Sequence, residues 1–201
     1  MKLFFSPFSP FVRKCLVVAR ELGIDRQIEL LPAAASPVKR DLSISNPLGK
    51  IPALLTEEGE VLVDSRVICE YLNQRAQGSL YPENSKARYA ALTLQALADG
   101  IMDAAVLVRY ENAIRPEALR WAEWQAGQLD KIESALAHIN SHTPANNEPL
   151  HIGLLTLGCA LWYLDLRYPT LGWRERHSAL AAWYAGFGGR ESMKASWALA
   201  G

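Results

Sequence analysis

Ser6-Pro7-Phe8-Ser9-Pro10-Phe11-Val12-Arg13-Lys14 repeats the tripeptide SPF between a short apolar run, Lys2-Leu3-Phe4-Phe5, and a helix-periodic one. The two serines are not equivalent. Ser9 precedes Pro10, which pushes its backbone toward extended conformations. Pro10 suits the first position of a helix, where a backbone N–H would be unpaired anyway. Ser9 then falls at the N-cap, a favoured place for serine. A helix starting at Pro7 would have Ser9 forced out of helical geometry within its first turn. Ser9, not Ser6, therefore stands at a helix mouth, where N–H groups and the macrodipole favour negative charge. Taken alone, the fragment also reads as a plain Ser-Pro cap.

Working outward, residues 2–5 read as a short buried strand. Residues 10–22 place Val12, Cys15, Leu16, Ala19 and Leu22 on one helical face, and Gly23 is positioned to end that helix. Residues 26–31, RQIELL, read as a second strand. Strand, helix and strand in succession make a βαβ unit with parallel pairing. A short helix is expected around Val38–Ile44. Residues 53–56 and 60–63 read as two strands joined by a tight turn at Glu57-Glu58-Gly59, and Asp64-Ser65 precede a helix containing Val67 to Leu72. The turn-rich stretch 78–86 is the expected linker. Beyond it, residues 86–112, 117–141, 151–167 and 175–186 carry apolar side chains at helical spacing. The pattern predicts an α/β domain over 1–77 and an all-helical domain over 87–201.

Half of the 201 residues are hydrophobic, enough for such cores. Lys+Arg and Asp+Glu balance at 21 each, so no global attraction to nucleic acid or an anionic membrane is indicated. The 3 cysteines, Cys15, Cys69 and Cys159, are too few and too scattered for a disulfide framework. A reducing, cytoplasmic setting is the expectation. The N-terminal apolar run is too short for a signal-peptide core. The longest apolar stretch noted, LLTLGCALWYLDL, is interrupted by Asp165 and falls short of spanning a membrane.

Two more fragments bear on chemistry. In NPLGKIPALL, beginning at Asn46, Pro52 follows Ile51 directly before a strand. A cis bond there would leave the Ile51 N–H and C=O facing outward, free to pair with an extended ligand. An ordinary edge-strand proline is the alternative. Asp64-Ser65 sits at a strand-to-helix junction. Its N–H groups and hydroxyl suit a ligand carboxylate, and equally suit simple capping.

The order of these fragments is more telling than any one of them. SPFVRK after the first strand, NPLGKIP before the third, DS before a helix, and an ALADGIMDA helix starting at Ala96 together resemble the glutathione transferase superfamily, over nearly the whole chain. The resemblance implies a thioredoxin-like, glutathione-binding α/β domain followed by an all-α helical bundle, assembled as a homodimer. It implies that Ser9 donates to the glutathione sulfur and stabilises the thiolate. Ile51, before Pro52, would pair with the cysteinyl part, Asp64 and Ser65 would hold the γ-glutamyl part, and Lys50 would reach the glycyl carboxylate. Phe11, Met102, Asp103, Val106 and Tyr110 would line the pocket for a small hydrophobic electrophile. Members that act as thiol reductases carry cysteine at the Ser9 position. A serine cannot form a mixed disulfide, which favours conjugation, with no metal required. A non-catalytic binding or protein-interaction role on the same scaffold, and glutathione-dependent reduction of organic hydroperoxides, stand as alternatives.

The chain departs from the family at one helix start. Many members carry a Ser/Thr-x-x-Asp capping box before the core helix of the second domain. Here His151 and Leu154 stand in those places, so the box is lost, with about 1 kcal/mol of capping. Four other features read as structural. Cys15 lies on the apolar face of its helix. His138 and His142 have a metal-compatible spacing but no third ligand nearby. Trp121 and Trp124 are expected to share a helix face, and the glycines of 186–190 follow a helix, which excludes a dinucleotide motif.

Overall fold

The computed structural model describes residues 1–33, 36, 38 and 46–197, with side chains through Lys194. The helix expected at 38–44 lies outside the described residues apart from Val38. The strands are β1 (Lys2–Phe5), β2 (Glu29–Pro32), β3 (Ala53–Leu55) and β4 (Val61–Leu62). The helices are α1 (Pro10–Glu21), α2 (Ser65–Arg75), α3 (Ser85–Ala113), α4 (Ala122–Ser141), α5 (Ile152–Arg167), α6 (Trp173–Arg176), α7 (Ser178–Phe187) and α8 (Glu191–Trp197).

The strands form one mixed sheet in the order β2-β1-β3-β4. β1 and β2 pair in parallel, as the βαβ pattern requires, with Leu3 opposite Leu30. β3 runs antiparallel to β1, and β4 antiparallel to β3. The second strand starts later than its sequence pattern suggests. Asp25–Gln27 wind into a single 3-10 turn, closed by Ile28 N–H to Asp25 O at 3.1 Å. The β3–β4 turn is closed by Thr56, whose main-chain N–H reaches Glu60 O at 2.8 Å while its hydroxyl accepts Glu60 N–H.

α1 and α2 both end in the same hydrogen-bond pattern. After α1, Ile24 N–H reaches back to Ala19 O and Gly23 N–H to Arg20 O, with Gly23 at φ 70. This is a Schellman cap with glycine at its left-handed position. After α2, Gly78 N–H bonds Asn73 O and Gln77 N–H bonds Gln74 O, so the left-handed position falls on Gln77, φ 51. The glycine stands one place later for a steric reason. A Cβ on Gly78 would lie 2.3 Å from a Leu22 methyl and 2.7 Å from Asn73 Oδ1.

By contacts the chain divides into two units, 1–88 with 191–201, and 89–190. The helical domain expected over 87–201 takes in the stretch of α8, but by contacts α8 groups with the first unit and packs on α1. That second cover explains why α1 buries more than its apolar face. Arg13 and Lys14 are also buried, and Arg13 Nη2 donates to Met193 O at 2.8 Å. Ser192 and Glu21 form a further hydrogen bond between the same two helices.

In the second unit, α5 is the core helix, with every residue from Ile152 to Leu164 buried. Its N-terminus crosses α3 closely: a Cβ on Gly153 would meet Ala91 O at 2.6 Å. The lost capping box is replaced rather than absent. His151 is the N-cap of α5, and its Nδ1 accepts Gly153 N–H at 3.1 Å while Nε2 faces Glu148 Oε1 at 3.0 Å. An imidazole with Nδ1 unprotonated and Nε2–H donating satisfies both contacts.

Two helix boundaries differ from the sequence pattern. α4 begins at Ala122, not near 117, because Glu117–Leu119 form a 3-10 turn and buried Glu111 holds Trp121 N–H at 2.9 Å. Trp121 thus precedes the helix and is exposed, instead of sharing a face with Trp124. The helix expected at 175–186 is broken at His177, whose Nε2 lies 2.9 Å from Glu133 Oε1 on α4. The 29-residue α3 is long and apolar enough, by length and composition, to cross a membrane, contrary to the sequence reading. Half of its most apolar window is buried inside the protein, and Gln95, Asp99 and Glu111 are among its buried residues.

Candidate functional site

Strand directions gather three segments at one edge of the sheet. β1 ends at Phe5 and leads through Ser6–Ser9 into α1. Phe4 lies opposite Ala53, so Ile51-Pro52, just before Ala53, extends past that same end of β1. Leu54 lies opposite Leu62, so β4 also leaves the sheet there, into Asp64 and α2. Two helix N-termini and one irregular loop thereby converge, each with orphan donors or acceptors. α1 and α2 pack together, and Cys15 Sγ lies 3.9 Å from Ser65 O.

At the first segment, Ser9 is the N-cap of α1. Its backbone is extended, its N–H bonds Ser6 O at 3.1 Å, and its Oγ accepts Val12 N–H at 3.3 Å. Because the cap uses the oxygen as acceptor, the hydroxyl proton stays available to another acceptor. Ser6 is indeed the loop residue behind it, its Oγ accepting Phe8 N–H at 3.4 Å.

At the second segment, the Ile51-Pro52 peptide bond is cis. Neither the N–H nor the C=O of Ile51 has a hydrogen-bond partner among the described residues. The preceding turn is organised by Asn46, which the sequence reading included in its motif but not in its site. Asn46 is buried; Oδ1 accepts Leu48 N–H and Nδ2 donates to Lys50 O, both at 2.9 Å. Asn46 O also accepts Gly49 N–H at 2.8 Å, with Gly49 at φ 63. An asparagine before Pro-x-Gly is the signal of such a turn. Lys50 is exposed.

At the third segment, Asp64 caps α2 by accepting Arg66 N–H on Oδ1 at 2.8 Å, and the Val63-Asp64 bond is also cis. Ser65 is buried at the first helical position, and its hydroxyl has no protein partner among the described residues. Asp64 therefore takes the capping role and leaves Ser65 uncommitted.

Of the residues expected around an electrophile, Phe11 is half-buried in the first turn of α1. In the second unit, Met102 is fully buried and presents no surface to a ligand, whereas Asp103 is exposed and Val106 and Tyr110 are half-buried. Burial pushes the phenols of Tyr110, Tyr163 and Tyr168 up from their ordinary value. Tyr168 also donates to Ala105 O. The rings of His138 and His142 lie 4.9 Å apart, with His142 Nδ1 at 3.0 Å from His138 O. Among the described residues no group of His, Cys, Asp or Glu is arranged to hold a metal ion.

The fold is a thioredoxin-like α/β unit followed along the chain by a helical unit. Residues 8–75 match the N-terminal domain model of glutathione S-transferases, and residues 122–186 the C-terminal domain model. The chain belongs to the glutathione S-transferase family. It is 34% identical over 178 residues to an uncharacterised GST-like protein of Escherichia coli K12, YibF, covering 86% of each chain. It superposes with TM-score 0.94 on a glutathione transferase family member from Pseudomonas fluorescens Pf-5 with bound glutathione, at 47% identity and 97% coverage of both chains. A second structure from that source, with bound S-(propanoic acid)-glutathione, gives TM-score 0.90 at 47% identity over 98% of both chains. A glutathione S-transferase from Methylobacillus flagellatus KT, also with glutathione bound, gives TM-score 0.87 at 38% identity, covering 97% of this chain and 98% of that one.

Proposed function

We propose that the protein conjugates glutathione to small hydrophobic electrophiles, with Ser9 stabilising the thiolate. The observation that carries this reading is the Ser9 cap, whose Oγ accepts Val12 N–H and keeps its own proton free. An O–H donor and the positive end of a helix both favour thiolate over thiol and lower the thiol pKa. The thiol proton passes to solvent, and the sulfur lone pair forms a C–S bond to the electrophilic carbon. The leaving group departs with its bonding pair, or the acceptor's π pair shifts and takes a proton.

The rest of the site is assigned to holding the tripeptide. Ile51 offers one N–H and one C=O to the cysteinyl backbone. Ser65 offers its hydroxyl and the N–H of a first helical turn to the γ-glutamyl carboxylate, beside Asp64. Lys50 is free in solvent to reach the glycyl carboxylate. Phe11, half-buried in the first turn of α1, is assigned to the acceptor side. A relative that binds glutathione substituted on sulfur is consistent with a conjugated product. The reading includes a homodimer, carried from the family resemblance, and a cytoplasmic location, in keeping with three free cysteines.

The test is the pH dependence of conjugation with a chloronitrobenzene acceptor. Ser9→Ala is expected to move the rising limb to higher pH while glutathione binding persists. An unmoved limb removes Ser9 from the role. Absence of glutathione binding by the parent protein at millimolar concentration removes the whole reading.

A further inference from the structure

We propose that Asn46 is a positioning residue that aims the Ile51 N–H at the ligand by holding the other end of the same peptide plane. The inference rests on the glutathione-site reading and adds a residue to it. The Lys50-Ile51 bond is not among the cis peptides of the chain. In a trans peptide the C=O and the N–H lie in one plane and point in opposite directions. Asn46 Nδ2 holds Lys50 O at 2.9 Å from a buried position, so that oxygen is turned toward the protein. The Ile51 N–H at the other side of the plane is thereby turned away from Asn46, and it has no partner among the described residues.

Asn46 is itself fixed at three points. Its Oδ1 accepts Leu48 N–H, its main-chain oxygen accepts Gly49 N–H, and Nδ2 donates to Lys50 O. A buried carboxamide with both ends bonded has little freedom to rotate. Without the Nδ2 contact, the Lys50-Ile51 plane is free to turn about its flanking dihedrals. The Ile51 donor would then have to be ordered by the ligand at each binding event, which weakens binding. The chemistry at Ser9 would not change, because Asn46 makes no contact with Ser9 among the hydrogen bonds described.

Asn46→Ser and Asn46→Asp separate the two side-chain bonds. Each keeps an oxygen that can accept Leu48 N–H, and neither can donate an amide hydrogen to Lys50 O. For both, the glutathione Kd by calorimetry and the KM for glutathione should rise about tenfold, one hydrogen bond's worth of affinity. The rate at saturating glutathione and the pH profile should stay within about twofold of the parent. The Ile51 amide resonance, which should shift on adding glutathione to the parent, should shift less in the variants. A role confined to stability would lower the melting temperature and the active fraction but leave Kd unchanged. A Kd within about twofold of the parent in both variants overturns the positioning role while the site reading stands. A parent protein that binds no glutathione overturns both.

Discussion

The Cys15 thiol on α1 contacts the main-chain oxygen of Ser65, the first residue of α2, at 3.9 Å. One buried sulfur thus packs the second turn of α1 against the N-terminus of α2. Cys69 Sγ lies 3.9 Å from the same sulfur, and both cysteines are fully buried.

Cys15 should consequently matter by size and not by reactivity. Cys15→Ala is expected to leave the pH profile of conjugation unchanged and to cost about 1–2 kcal/mol of stability in urea. Cys15→Leu overfills the space, so it should displace Ser65 and raise the KM for glutathione several-fold. Loss of conjugation in Cys15→Ala at full glutathione binding would show that the thiol takes part in the chemistry.

The His151 cap can be measured directly. His151→Ala removes the acceptor for Gly153 N–H and should destabilise the protein by about 0.5–2 kcal/mol, whereas His151→Ser supplies an acceptor and should recover part of that loss. Equal urea midpoints for the Ala and Ser variants would argue that the imidazole contributes through packing alone.

Gln77 occupies a left-handed backbone position where glycine is unstrained. Gln77→Gly should raise stability by about 0.5–1 kcal/mol, the relief of αL strain less the added entropy of glycine in the unfolded chain. Gly78→Ala should do the reverse, because its Cβ would strike Leu22 and Asn73. Thermal melts of the two variants check both signs.

Glu111 gives stability a dependence on acid. Its carboxyl is held below its ordinary value of 4.5, first by the Trp121 N–H it accepts and then, against burial, by Arg115. A carboxyl depressed by folding contributes fully above the unfolded value and loses its contribution as pH falls through the folded one. The parent melting temperature should therefore fall as pH drops from about 5 to about 3, and Glu111→Gln should fall less steeply. Parallel curves for the two proteins would mean that Glu111 is not the titrating group.

Much of the site is local chemistry and was readable as such. A proline fixes its own φ and restricts the residue before it, so Ser9 was assigned to the helix mouth from two prolines alone. The asparagine of the NPLG turn was visible too, but its bond to Lys50 O depends on how the turn closes and shows in no periodicity. The box at 151 is lost as its residues imply, but the cap that replaces it is hidden for a related reason. A histidine is a poor guess for an N-cap by frequency, yet with Nε2 facing Glu148 its Nδ1 is placed to accept Gly153 N–H.

The sequence by itself determined the opening strand-helix-strand order, the start of α1 behind Ser9, and the family. Each follows from short-range dihedral limits, periodicity or motif order. Tertiary structure alone decided that α8 returns to cover α1 and buries Arg13 and Lys14, that Met102 is closed off, and that Gly78 and Gly153 stand where other atoms leave no room. These depend on what an element meets across space, and a one-dimensional pattern records which side chains are apolar, not what lies against them.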